Sequence, residues 1–172
     1  MTRTQVLAAA ILGVWLGWTA AMWFAATRSF RTAERILKKP DPQFDQAIQP
    51  LGHGQARVVL RYLASEINRT YFRTYGWAQI LLGIALLVSL WRQMPRDTIG
   101  IGLAGVMLAL VIILTLVVQP MIVSLGRSID FVPRNPAPPQ MPRFWMLHGA
   151  FTGLDAVKLL AGLGLLARLI FR

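Results

Sequence analysis

Cysteine is absent from the 172 residues, so the chain has no disulfide framework and no thiolate metal site. Acid is scarce: 7 Asp and Glu stand against 18 Lys and Arg, for a net charge of +11. Histidine occurs twice, as His53 and His148, too few to suggest a histidine-built metal site. No nucleophile–base pair, phosphate loop or two-carboxylate site can be assembled from the motifs, so no enzyme is expected. Nor does any recognition motif accompany the basic residues, and nucleic acid is not an expected partner. No cofactor and no metal are expected.

Charge of either sign amounts to only 15% of the residues, and it is segregated, because long stretches carry none. What fills those stretches is apolar. Hydrophobic residues make up 55% of the chain and mean hydropathy is +0.52, high for a water-soluble domain. The basic residues flank the apolar runs, so anionic headgroups fit them better than a polyanion in solution.

Four apolar runs read as spans of about 5–27, 74–91, 98–120 and 144–167. The first, Val6 to Thr27, has 22 residues without a charge. Signal-peptide cores are shorter, about 7–15 residues, so this run is expected to stay as a helix crossing a ~30 Å hydrocarbon layer. The third, Ile99 to Leu125, contains Pro120, where a kink or helix end is expected. The short link at 92–98 favours antiparallel neighbours. The expected fold is all-α: a four-helix transmembrane bundle forming one integral membrane domain, 1–172.

The first connection, about 28–73, differs in kind. Arg28, Arg31, Arg35 and Lys38 recur on one helical face. PDPQFDQAIQP then interrupts the pattern. Arg57, Arg61, Arg69 and Arg73 follow at multiples of four, interleaved with Val58, Val59, Leu60, Tyr62, Leu63, Ile67 and Tyr71. This predicts a basic helical hairpin, its second arm running into the second span. Its eight cations are a solvated face, or contact anionic lipid or the acidic surface of a partner subunit. The last connection has five prolines between Pro133 and Pro142, the pattern of a stiff, extended spacer.

Basic residues set the orientation. The connections after spans one and three carry nine and three, against Arg3, Arg92, Arg96, Arg168 and Arg172 on the other side. That bias places the hairpin and the proline linker in the cytoplasm and both termini outside.

The anomaly is in span four, where FWMLHGAFTGLDAVKLL carries His148, Asp155 and Lys158. Counting inward from Arg168 puts Lys158 roughly 15 Å deep, near mid-membrane. An ionised group there costs about 2.5–3.5 kcal/mol. Asp155 and Lys158 stand i, i+3 and can pair. His148, Thr152 and Asp155 share a face at 100° per residue. The same depth count brings Thr19, Gln79 and Thr115 level with Asp155, Gln119 level with His148, and Trp15 near Lys158. Such residues serve as interhelical glue, or as a proton, ion or solute route. Two GxxxG runs, Gly13–Gly17 and Gly149–Gly153, predict close packing of spans one and four.

LGVWLGWTAAMWFAATRSF, LRYLASEINRTYFRTYGW, QPMIVSLGRSIDF and FWMLHGAFTGLDAVKLL together resemble the bacterial four-helix membrane proteins similar to transmembrane protein 205. Family members tend to carry asparagine where this chain has Asp155, and Lys158 is outside their pattern. The Gly13–Trp15–Gly17 run also resembles copper-resistance-type and haem-pathway membrane families, whose first-span histidine is missing here. The first resemblance implies a fold in the bacterial inner membrane, and no established activity. The functional expectation is a non-catalytic accessory or scaffold subunit of a larger membrane assembly. The alternative is a small proton- or ion-coupled carrier using Asp155, Lys158 and His148.

Overall fold

The computed structural model describes residues 2–171, so Arg172 of the charge count lies outside the described residues. The fold is all-α, and no strand occurs among the described residues. Its helices are α1 (Arg3–Lys38), α2 (Pro42–Ile48), α3 (Gly52–Trp91), α4 (Thr98–Ile113), α5 (Gln119–Ser128) and α6 (Met141–Phe171). A 3₁₀ turn, Gln49–Leu51, joins α2 to α3, and a π-helical segment, Leu114–Val118, fuses α4 to α5. Four long helical stretches therefore make the bundle.

Local chemistry sets the helix starts. Thr2 and Gln5 form a reciprocal capping box on α1, with Thr2 Oγ1 accepting from Gln5 N and Gln5 Oε1 accepting from Thr2 N at 2.7 Å. Asp41 accepts from Gln43 N at 2.9 Å, and Pro42 occupies the first turn of α2. This short helix falls inside the stretch read as a break. Asp97 accepts from Gly100 N at 3.1 Å and starts α4. Gly52, at φ +69°, turns the chain into α3 in a region that side chains disfavour.

Pro120 does not end its helix. It has no N–H for the preceding turn and its ring crowds that turn. The π segment immediately before it widens the turn, and the helix continues to Ser128.

α1 packs on α3 and α6, and α4 packs on the other sides of those two, closing a four-membered ring. The apolar core occupies one half of it. Ala8, Leu12, Trp15 and Leu16 of α1 meet Leu86 and Leu90 of α3, Ala104, Met107 and Val111 of α4, and Leu165 and Leu169 of α6. Gly162 permits the closest approach here: a Cβ on it would lie 2.6 Å from Leu16 Cδ2.

Large apolar side chains also cover the outside, for example Trp18, Leu81, Val106 and Leu160, while Asp97, Asp155 and Lys158 are buried. That is the reverse of a water-soluble domain. Three stretches are long and apolar enough to cross a membrane: Arg3–Lys38, Pro42–Trp91 and Thr98–Ser128. α6, with Asp155 and Lys158 midway, is not among them. α1 has 36 residues and α3 has 40. At 1.5 Å per residue they reach ~54 and ~60 Å, well beyond a ~30 Å hydrocarbon layer.

Candidate functional site

The site is a polar cluster where the apolar core stops. α6 contributes Asp155 and Lys158, both 0% exposed, with Lys158 Nζ 2.5 Å from Asp155 Oδ1. Trp15, Thr19 and Trp23 stand four apart on α1, and Tyr75 and Gln79 four apart on α3. That spacing aims each set at the same neighbour.

Lys158 Nζ donates to Gln79 Oε1 and lies 3.1 Å from Tyr75 Oη and 3.3 Å from Thr19 Oγ1. On the acidic side, Trp23 Nε1 donates to Asp155 Oδ2 at 2.8 Å, and the Tyr75 hydroxyl donates to the same oxygen at 3.1 Å. Trp15 Nε1 donates to Gln79 Oε1 at 2.9 Å. Thr19 donates to the backbone carbonyl of Trp15 at 3.1 Å. One assignment of donors suits an ammonium and a carboxylate together, both reached by neutral dipoles from two other helices.

Of the layer expected by depth, Thr19, Gln79 and Asp155 meet around Lys158. Thr115 is buried elsewhere, on the π segment against Gly76, where a Cβ would lie 2.6 Å from Thr115 Cγ2. Trp15 does not stack on Lys158 but hydrogen-bonds Gln79. The ring that the ammonium lies over is that of Tyr75, its centroid 5.2 Å away. Tyr75 and Trp23 are additions to the sequence-based set. Their signal was the four-residue spacing of side chains with polar tips: Trp15, Thr19, Trp23 and Tyr75, Gln79.

His148 and Thr152 do not join the cluster. His148 has nearly the phase of Asp155 but lies about 10 Å along the axis, at 1.5 Å per residue. It stacks on Phe144, ring centroids 5.5 Å apart, and its buried Nδ1 has no partner. Gln119 is half-buried and makes no hydrogen bond to it. Thr152 is exposed, and its hydroxyl donates to the His148 backbone carbonyl. No group of three His, Asp or Glu able to hold a metal occurs among the described residues.

The GxxxG glycines are corrected outright. Gly13, Gly17, Gly149 and Gly153 are exposed, and a Cβ on any of them would meet nothing within 4 Å. The inward stripe of α1 runs through Leu12, Leu16 and Thr19, and positions 13 and 17 lie 100° round from it.

Arg69 is also reassigned. Its side chain is 12% exposed, bonded to Asp130 through Nη2 at 2.8 and 2.9 Å and to Glu66 through Nη1 at 2.5 Å. Burial alone would lower its pKa, but the two carboxylates outweigh it and raise it. It ties the last connection to α3 and is not available to a headgroup.

Every acidic residue is committed. Glu34 pairs with Arg57, Asp45 with His53, Glu66 and Asp130 with Arg69, Asp97 with Arg168, and Asp155 with Lys158, while Asp41 caps α2. Arg57 is thus an exposed pair partner at 3.7 Å. Arg28, lying over the Phe24 ring at 4.6 Å, has no carboxylate within 4.0 Å among the described residues, and neither have Arg31, Arg35, Lys38, Arg61 and Arg73.

Comparison of the chain with protein-family models, with curated proteins and with solved structures finds no match in any of the three.

Proposed function

We propose that this chain is a four-span protein of the bacterial inner membrane, α6 being the fourth span, and that it serves as a non-catalytic accessory or scaffold subunit of a larger membrane assembly. One observation carries this reading: Asp155 and Lys158 are wholly enclosed and fully partnered. A carrier needs its ionisable groups in reach of water on at least one side. Here they weld α1, α3 and α6 together instead.

The 31 residues of α6 reach ~46 Å, enough to cross the hydrocarbon layer. The basic bias puts residues 28–73 in the cytoplasm and both termini outside. Arg28, Arg31 and Arg73 then meet anionic headgroups, because no carboxylate of the described residues competes for them, while Arg35 and Lys38 stand further out along α1 and face a partner's acidic surface. The resemblance to the transmembrane protein 205 group is offered in the same sense, for its four-helix arrangement. The runner-up reading, a proton- or ion-coupled carrier, draws on the buried Asp–Lys couple and on the unpartnered Nδ1 of His148.

Reconstituting wild type, Asp155→Asn, Lys158→Leu and the double variant separates the two. The expected outcome is no flux in liposomes from any of them, with less native assembly recovered from the single variants and recovery restored in the double. A wild-type flux that the single changes abolish while assembly stays intact would overturn the scaffold reading.

A further inference from the structure

Val59, Tyr62 and Leu63 stand at i, i+3 and i+4 on α3, three neighbours on one helical face. Phe131, from the last connection, stacks on Tyr62 with ring centroids 4.8 Å apart, and Val132 follows it. All five remain between 37% and 65% exposed. Tyr62 therefore joins two chain segments into one apolar patch that the described residues leave open.

The hydrocarbon core does not reach this patch in the proposed arrangement. α3 is unbroken from Gly52 to Trp91, so its first part must follow the axis of its spanning part. Leu63 lies ~43 Å along that axis from Arg92 at 1.5 Å per residue. The hydrocarbon core is only ~30 Å thick, and headgroup to headgroup the bilayer is about 40–45 Å, so Leu63 stands at the outer limit of the headgroups. Val59 is one turn further out.

Charge selects among protein partners. Arg61 precedes Tyr62 on α3, and Arg134 lies two residues past Val132 on the segment that stacks on Tyr62, so both arginines belong to the edge of the patch. The Arg134 guanidinium is held below its ordinary pKa, first by partial burial and then by repulsion from Arg61, with Asp130 acting the other way. Among the described residues no carboxylate lies within 4.0 Å of either arginine. A second copy of a chain with net charge +11 would set like charges face to face.

We infer that Val59, Tyr62, Leu63, Phe131 and Val132 dock an acidic amphipathic helix of a partner protein, its apolar seam on the patch and its carboxylates on Arg61 and Arg134. This rests on the accessory-subunit reading and names the chemistry of the partner.

The cysteine-free chain makes the test direct. Gln55→Cys, exposed one turn beyond Val59 on the side away from the bilayer, takes an environment-sensitive fluorophore in the full-length protein in nanodiscs of zwitterionic lipid. The probe is a synthetic peptide of about 18 residues, leucine at i, i+3, i+4 and i+7 and glutamate elsewhere, with a lysine-for-glutamate version beside it. The glutamate peptide should shift the fluorescence saturably and the lysine peptide should not. Leu63→Asp, or Arg61→Ala with Arg134→Ala, should each weaken binding by about tenfold or more. Both sets lie on the surface, and circular dichroism checks that the helices persist.

Equal binding of the two peptides, or no saturation with the glutamate peptide, overturns the inference. So does quenching of the label by a lipid-borne quencher, which would assign the patch to the bilayer, or a concentration-dependent shift without peptide, which would assign it to a second copy. Peptide failure with the native assembly intact removes this surface alone. A measured flux removes the accessory reading while the peptide titration still stands or falls by itself.

Discussion

Asp155–Lys158 and Asp130–Arg69 are ion pairs of similar length, 2.5 and 2.8 Å, built on different plans. The first lies within one turn of a single helix, and its neighbours are neutral: two indoles, a phenol, an amide and a hydroxyl. The second spans 61 residues of chain, and its neighbours are charged, with Glu66 on the same guanidinium and Arg127 4.0 Å from Glu66. In the enclosed cluster one positive and one negative charge cancel, and the dipoles only distribute them. Loss of either leaves an ion with nothing to replace its partner. In the network at the last connection a second carboxylate and nearby solvent take up the loss.

That contrast ranks the outcomes of substitution. Lys158→Leu alone should cost about 3–5 kcal/mol, because it strands Asp155 inside the bundle; thermal unfolding in detergent measures it, and a cost below that of Asp130→Asn would dissolve the contrast. Asp130→Asn should cost about 1.5–3 kcal/mol, and the effect should be local, read as faster proteolysis between residues 129 and 140 with α6 still protected. Replacing both ions, Asp155→Leu with Lys158→Met, should bring stability back to within about 1 kcal/mol of wild type or above it; failure to recover would mean that the dipoles of Trp23 and Tyr75 need the carboxylate as much as the ammonium does. Gly17→Ala should change stability by no more than about 0.5 kcal/mol, since a Cβ there meets nothing within 4 Å; a large loss would show that the outer face of α1 is covered in the native assembly.

Depth was legible in the sequence and rotation was not. Rise per residue is constant, so counting from the charged ends set Thr19, Gln79, Thr115 and Asp155 at one level, and all but Thr115 touch Lys158. Rotation has no such gauge in helices that are apolar on every side. Gly13, Gly17, Gly149 and Gly153 therefore read as packing faces yet point outward, and Thr152 shares the expected face yet is exposed. Tyr75 was passed over because it precedes the apolar run, although its ring is buried and its hydroxyl bridges Thr19, Asp155 and Lys158. Trp23 read as one more apolar residue, because an indole gives no sign in a sequence of where its N–H points. Arg69 read as one of a basic row, and its carboxylate, Asp130, lies too far along the chain for any spacing rule to join them.

The unbroken length of α3 has a mechanical side. A helix without a hinge between Gly52 and Trp91 works as a lever whose fulcrum is the bundle. Its outer arm, from Gly52 to the start of the spanning part, is ~33 Å long at 1.5 Å per residue. A change in tilt of about 10°, well inside the range that membrane helices adopt, would swing the far tip by about 6 Å. Small rearrangements among the spanning helices would thus appear, enlarged, as displacement of the α2–α3 turn.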